Sequence, residues 1–165
     1  TTLITILFSL FFNIANAEDN LKSTGKFKDW EAFVLKQDGN KVCFAQSVPV
    51  LRAPKKLQRD PSRLFVSFRP NEKIKDEIST TSGYEYNKKN SITAKSGKKK
   101  FKFDISQDNF AWIADQKIER KMIKAMKSGS RIMITGYNQK GSQTIDHYSL
   151  MGFSKAYNAA KKSCS

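Results

Sequence analysis

One histidine, two cysteines and a large excess of lysine are the side chains in this 165-residue chain that could do chemistry. His147 lies in the run Asp146-His147-Tyr148-Ser149, which holds the three residue types of a hydrolytic triad. On a strand, successive side chains point to opposite faces, so His147 would share a face with Ser149 while Asp146 points away. A triad needs the aspartate to orient the histidine and the histidine to reach the serine. The spacing therefore argues against hydrolysis, and we expect no catalytic residue and no enzyme.

The sequence also lacks the motifs of common cofactor and metal sites. It contains no nucleophile elbow, no glycine-rich phosphate loop and no HExxH motif. One histidine and scattered carboxylates do not form a metal-ligand pattern. A pocket near Tyr84, Tyr86, Trp112 and His147 is the alternative, which would support small-ligand binding or an enzymatic reaction, although aromatic residues in a small β domain usually form its core. We expect no cofactor and no metal.

Lysine outnumbers arginine by 24 to 6, and the chain carries a net charge of +15. A field of that strength attracts anionic partners over a long range. One strand-like run and one face of a helical pattern concentrate the charge. The predicted basic patch consists of Lys98, Lys100, Lys102, Lys117, Arg120, Lys121, Lys124 and Lys127. The alternative is that these lysines only solvate the surface or protect an exposed strand edge.

The two cysteines, Cys43 in a strand-like segment and Cys164 near the end of the sequence, form an even pair. In an oxidising compartment such a pair favours a disulfide. Two unrelated thiols remain the alternative, because a sequence cannot show that the two Cβ atoms meet. The absence of a CxxC spacing argues against redox catalysis.

Strand-like segments must position most of these residues. In the run 98–105, Phe101, Phe103 and Ile105 alternate with polar residues, the period-two pattern of a half-buried strand. In Trp30–Leu35 both alternating sets are largely apolar, which predicts a strand covered on both faces.

Two helical patterns interrupt the strands, Asp115–Ser128 and Ser154–Lys162, the second capped by its first residue. Glu119 is a polar exception within the apolar face of the first helix. Glu18–Lys26 is predicted to be a loose leader and Gly83–Tyr86 a short strand. The whole pattern predicts a mainly β fold, an antiparallel β-sandwich or barrel-like single domain with two short helices.

The start of the sequence predicts export. An uncharged apolar run, Leu3–Ile14, precedes the small-residue site Ala15-Asn16-Ala17, which is typical of a secretory signal peptide. A buried helix or a short anchor is the alternative, but such a run rises only about 18 Å, too little for a hydrocarbon layer of about 30 Å. We expect residues 1–17 to be an N-terminally truncated signal peptide, removed from a single domain at 18–165 that is periplasmic or secreted and not transmembrane.

A series of short motifs spans nearly all of that domain and resembles one family. The motifs follow in the order Trp30, Cys43, Ser47-Val48-Pro49, Phe68-Arg69-Pro70, Phe110-Ala111-Trp112, Met122–Gly129, Arg131–Gly136, Lys140-Gly141-Ser142, Tyr148–Phe153 and Cys164. In order and spacing they resemble the invasion-associated locus B family of exported bacterial proteins. The polar, lysine-rich segment 87–100 departs from the family pattern.

The resemblance implies a small, β-rich protein with a signal peptide, located in the periplasm or cell envelope of Gram-negative bacteria. It carries no catalytic residue over to this chain. We therefore expect a non-enzymatic envelope protein whose basic surface contacts anionic envelope components, such as lipopolysaccharide and anionic lipid headgroups, or a partner protein. Nucleic acid, the default partner of a basic cytosolic protein, is not expected there.

Overall fold

The structure is a computed structural model that describes residues 20–165, so the predicted signal peptide at 1–17 lies outside the described residues. In chain order the elements are β1 (Asn20–Phe27), β2 (Trp30–Gln37), β3 (Asn40–Ser47), β4 (Leu51–Ala53), β5 (Arg63–Arg69), β6 (Ile74–Thr81), β7 (Ile92–Ser96), β8 (Lys99–Phe103), β9 (Ile105–Gln107), β10 (Phe110–Trp112), α1 (Gln116–Ser128), β11 (Arg131–Tyr137), β12 (Gln143–Ser149) and α2 (Phe153–Ser163). A short 3-10 turn at Pro70–Glu72 joins β5 to β6.

The strands form two antiparallel sheets. The seven-stranded sheet has the order β1-β2-β3-β5-β6-β10-β9, and the five-stranded sheet has the order β4-β12-β11-β7-β8. Neither sheet closes into a barrel, so the domain is sandwich-like. The predicted mainly β fold with antiparallel sheets and two helices is therefore confirmed, and the sandwich is the correct one of its two architectures.

Alternation along the strands fills the space between the sheets. In β2, Trp30, Ala32 and Val34 are buried, whereas Phe33 and Leu35 on the other face are only half-buried. The prediction that this strand is covered on both faces is therefore wrong. Its outer face stays partly open to solvent within the described chain, because both helices pack on the inner side of the sheets.

Helix α2 covers the inner face of β1, β2 and β3. Phe153 meets Trp30 edge to face with ring centroids 4.8 Å apart, and the Trp30 indole Nε1 donates a hydrogen bond to the Ser149 backbone oxygen at 2.8 Å. Beyond the end of this helix, Cys164 forms a disulfide with Cys43 of β3. The predicted disulfide is confirmed.

Helix α2 begins one residue earlier than predicted. Gly152 precedes it with a φ of 90°, and the helix start has no side-chain cap, so the expected cap by Ser154 is wrong. A Cβ atom at Gly152 would lie 1.8 Å from the backbone oxygen of Phe27. Only glycine fits this close approach, because both the positive φ and the contact exclude a side chain.

Helix α1 packs against β6 of one sheet and β8 of the other. Its predicted extent is confirmed: Asp115 is the N-cap, and its side chain accepts a hydrogen bond from the Lys117 backbone N–H at 2.7 Å. The polar exception Glu119 is buried, and its Oε1 accepts a hydrogen bond from the Ile78 backbone N–H at 2.9 Å. A carboxylate on the apolar face thus completes the hydrogen bonding of β6.

Three local predictions are wrong. Residues 20–26 of the expected loose leader lie in β1, which pairs with β2 over most of its length. Gly83–Tyr86 contains no strand, only an isolated bridge between Tyr86 and Asn138. The expected strand 98–105 ends at Phe103. Ile105 begins β9 in the other sheet, and its side chain is 48% exposed.

The connection between β4 and β5 crosses from one sheet to the other. It is held by Arg59, whose Nη1 lies 2.9 Å from Oδ2 of Asp146 on β12 and also donates to the Ser82 backbone oxygen at 2.9 Å. Both side chains of this ion pair are almost fully buried. The pair therefore fixes the crossover at the cost of desolvating two charges.

Candidate functional site

A row of lysines lies on the outer face of the five-stranded sheet. Lys95 of β7 is directly opposite Lys100 of β8, and Thr93 is opposite Lys102. Lys100 and Lys102 of β8 are exposed, while Phe101, between them, is buried. The predicted alternation of lysine and phenylalanine is confirmed along this strand, and it directs the lysine charge to solvent.

The β7–β8 hairpin joins this row to helix α1. Lys98 lies in the hairpin turn rather than in the strand. A shallow cavity of about 540 Å³ is lined by Lys98 and Lys99 from the hairpin, Ser128 from the end of α1, and Arg131. The cavity thus places the hairpin lysines beside the C-terminal end of α1.

The exposed face of α1 carries four more basic residues. Together with the row and the hairpin they form what we call the basic surface: Lys95, Lys98, Lys99, Lys100, Lys102, Lys117, Arg120, Lys121, Lys124 and Arg131. Lys127, which was predicted to belong to the same patch, turns toward α2. Its Nζ lies 4.1 Å from the centroid of the Tyr157 ring.

Few of these charges are neutralised within the fold. In the described chain the ion pairs within 4.0 Å are Arg59–Asp146, Arg69–Glu72 and Arg69–Glu77. All of them use arginine, so no lysine is paired with a carboxylate of residues 20–165 at that distance. The lysine charge is therefore available to a partner, at the strength that solvent screening allows.

The four residues of the alternative pocket do not converge. Tyr84 and Tyr86 lie together, with ring centroids 5.3 Å apart, and Tyr86 is buried. Trp112 instead stacks on Phe110 on the outer face of the seven-stranded sheet, and His147 lies on the outer face of the five-stranded sheet, opposite Met133. The structure thus distributes these residues over the core and two separate faces.

The tyrosine pair belongs to a buried polar network. The Tyr84 hydroxyl lies 2.7 Å from the Thr144 hydroxyl, and the Tyr86 hydroxyl donates to the Ser82 hydroxyl at 2.8 Å. Burial raises the pKa of both tyrosines, more strongly for Tyr86, so neither is an ionised group at neutral pH. The network satisfies buried hydroxyl groups and supplies no nucleophile.

The strand argument against a triad also agrees with the geometry. Asp146 is buried and bonded to Arg59, while His147 is on the opposite face of β12. The His147 Nδ1 has no hydrogen-bond partner within the described chain. Among residues 20–165 no aspartate orients this histidine, which a triad requires.

A row of half-exposed aromatic rings crosses the outer face of the seven-stranded sheet, and sequence reasoning missed it. This aromatic row consists of Phe33, Phe44, Phe65, Phe110 and Trp112, whose successive centroids are 5.3, 6.0, 6.4 and 5.9 Å apart. The signal in the sequence was that apolar residues occupy both alternating sets of positions in these strands. The opposite faces of the sandwich therefore differ in chemistry, one bearing the lysine row and the other bearing aromatic rings.

One comparison with known proteins identifies a family. Residues 30–161 match the family model described as the invasion associated locus B (IalB) protein. No curated protein and no solved structure matches the chain. Between residues 20 and 165, no helix combines the length and apolarity needed to cross a bilayer. Because the family match covers most of the sequence, from Trp30 to Lys161 near the end of α2, this chain belongs to the invasion-associated locus B family.

Proposed function

We propose that this protein is a non-enzymatic, exported envelope protein that binds anionic envelope components through its basic surface. The observation that carries the proposal is the direct opposition of Lys95 and Lys100 on a face where no lysine has a carboxylate partner in the described chain. Like charges placed opposite each other destabilise a sheet. A partner that brings negative charge would relieve this repulsion.

Export is part of the same proposal. The signal peptide proposed at residues 1–17 would deliver the domain to the periplasm or beyond, where phosphates of lipid headgroups and lipopolysaccharide are the abundant anions. The bond between Cys43 and Cys164 supports an oxidising compartment, because such bonds are rare in a reducing cytosol. Each lysine near an anionic membrane surface contributes about 1 kcal/mol to binding.

Vesicle binding tests the proposal. The protein is sedimented with phosphatidylglycerol vesicles and with phosphatidylcholine vesicles over a range of salt concentrations. We expect binding to the anionic vesicles alone, with an affinity that falls steeply as salt rises. Binding that is equal for both lipids, or that stays flat with salt, would overturn the proposal.

A matched pair of variants tests the location. Replacing Lys95, Lys100 and Lys102 with glutamine should lower the affinity for anionic vesicles about a hundredfold, which corresponds to about 3 kcal/mol. The control replaces three exposed lysines elsewhere with glutamine: Lys36, Lys55 and Lys155. Both variants have the same net charge, so an equal loss of affinity in the two would contradict a localised surface.

Contact with another envelope protein is a second candidate, and the aromatic row is the observation that favours it. Half-exposed aromatic rings are enriched at protein interfaces. A photo-crosslinking amino acid in place of Phe65 should then capture a protein partner in intact cells. The same amino acid in place of Thr135, on the outer face of the other sheet, is the control. Equal labelling at both positions would argue against this use of the row.

A further inference from the structure

A cavity of about 690 Å³ opens beside the disulfide, where β5, the β5–β6 connection and the end of α2 meet. Phe68, Pro70, Ile74 and Cys164 give it apolar lining. Its volume lies within the range of about 300–1,000 Å³ that is typical of small-molecule sites. None of the residues that line this cavity belongs to the basic surface or to the aromatic row.

Positive charge surrounds this apolar floor. Lys73, Lys75 and Lys161 line the cavity and are exposed, and none of them is in an ion pair within residues 20–165. The carboxylate of the cavity, Asp76, already accepts a hydrogen bond from the Tyr157 hydroxyl at 2.6 Å. Three lysines therefore line the cavity together with one aspartate, whose carboxylate is engaged with the protein itself.

The walls of the cavity are held in place by long-range contacts. The disulfide between Cys43 and Cys164 ties the end of α2 to β3, and the hydrogen bond between Asp76 and Tyr157 ties β6 to α2. Phe68 packs on Tyr157 with ring centroids 5.5 Å apart. A site with fixed walls loses little conformational freedom when a ligand binds.

We propose that this cavity binds an amphiphile with a single alkyl chain and an anionic phosphate or carboxylate head group. The head group contacts Lys73, Lys75 and Lys161, and the alkyl chain covers Phe68 and Ile74. An apolar pocket with a few converging polar groups is the usual form of a small-molecule site. The inference goes beyond the proposed function, because it uses different residues and a soluble ligand rather than a membrane surface.

The test is a titration of the ¹⁵N-labelled full protein with dodecyl phosphate below its micellar concentration, followed by NMR. We expect amide shift changes confined to residues 68–76 and 161–165. Parallel titrations with dodecanoate, inorganic phosphate and dodecyl maltoside separate the contributions of head group and chain. Dodecanoate should also bind, whereas inorganic phosphate and the uncharged maltoside should each bind at least about tenfold more weakly.

Variants locate the site. Replacing Lys73, Lys75 and Lys161 with glutamine should weaken dodecyl phosphate binding at least about tenfold while leaving vesicle binding by the basic surface nearly intact. The triple glutamine variant of the basic surface should instead lose vesicle binding and keep dodecyl phosphate binding. Ile74→Ser should weaken the alkyl ligands and leave the weak binding of inorganic phosphate unchanged, and its far-UV circular dichroism shows whether it has folded.

Three results would overturn the inference. Shift changes that map outside the cavity would place the ligand elsewhere. Inorganic phosphate binding as tightly as dodecyl phosphate would show that the cavity recognises an anion alone. If the folded variant with glutamine at positions 73, 75 and 161 bound dodecyl phosphate with unchanged affinity, the three lysines would not bind the head group. Vesicle binding by the basic surface can succeed or fail independently of all three, so the two proposals are tested separately.

Discussion

Replacing Glu119 with glutamine tests the buried carboxylate of α1. Glu119 is 6% exposed, and its Oε1 accepts the hydrogen bond of the Ile78 backbone N–H. Burial raises its pKa from 4.5 to about 7; the hydrogen bond from Ile78 opposes that rise, and the carboxylates of Glu77 and Asp76 add to it. The glutamine keeps the acceptor oxygen and removes the ionisable proton.

The sign follows from proton binding. Between pH 4.5 and about 7 the folded protein holds a proton at Glu119 that the unfolded chain has released. The contribution of this bound proton to the free energy of unfolding is therefore complete below pH 4.5 and is lost as the pH rises to about 7. A difference of about 2.5 pKa units corresponds to about 3 kcal/mol of unfolding free energy. Glu119→Gln should remove this loss, so that the variant is the more stable protein above neutral pH by up to about 3 kcal/mol.

Urea unfolding at about pH 5 and about pH 8, followed by the fluorescence of the buried Trp30, measures the effect. The advantage of Glu119→Gln over the native protein should grow between the two pH values. The exposed Glu72 provides the control, because Glu72→Gln removes the same charge without relieving any burial. Parallel stability profiles for the native protein and Glu119→Gln would refute the reasoning.

Three further substitutions test the framework of the fold. Arg59→Met leaves a buried carboxylate without its partner and should cost about 3–5 kcal/mol in urea unfolding. Replacing Cys43 and Cys164 together with alanine opens a loop spanning 121 residues and should cost up to about 5 kcal/mol, measured against the native protein without reductant. Gly83→Ala would place a Cβ atom 1.9 Å from the Asp60 backbone oxygen at a φ of +80°, so thermal unfolding should show a loss larger than the roughly 1 kcal/mol typical of a mutation.

The core and helix α1 could be predicted because burial repeats at a fixed period. Along β8, lysine and phenylalanine alternate as the pattern requires. Helix α1 has its apolar arc, its N-cap Asp115 and its final residue Ser128 at the positions that the sequence pattern predicts. The disulfide was predictable from the number of cysteines and the expected compartment, although only the fold shows that the two residues meet.

Predictions failed where pairing between distant segments decides the structure. Ile105 continues the period of Phe101 and Phe103, but the Asp104 side chain accepts a hydrogen bond from the Ala114 backbone N–H at 2.9 Å, and Ile105 pairs with Trp112 in the other sheet. The polar strand β1 is formed by pairing with β2, which polar side chains do not signal.

The candidate site was predictable only in part. The lysines of β8 and α1 could be identified from the sequence, yet the position of the β7–β8 hairpin beside the end of α1 depends on the packing of the helix. The aromatic row could not be identified, because apolar residues on both faces of a strand indicate either a covered sheet or an exposed apolar face. The sequence of the strand itself does not distinguish a covered sheet from an exposed apolar face, because an element that covers a sheet can be remote in sequence.

The packing of α2 has a consequence for the order in which this domain matures. The helix that covers β1, β2 and β3 is the last element within residues 20–165 and follows the strands it covers by more than a hundred residues. A growing chain therefore leaves the indole of Trp30 uncovered until Phe153, at the start of α2, has been synthesised. Packing of the inner face of these strands is therefore completed late in synthesis, and a partly synthesised chain keeps apolar surface on β1, β2 and β3 uncovered.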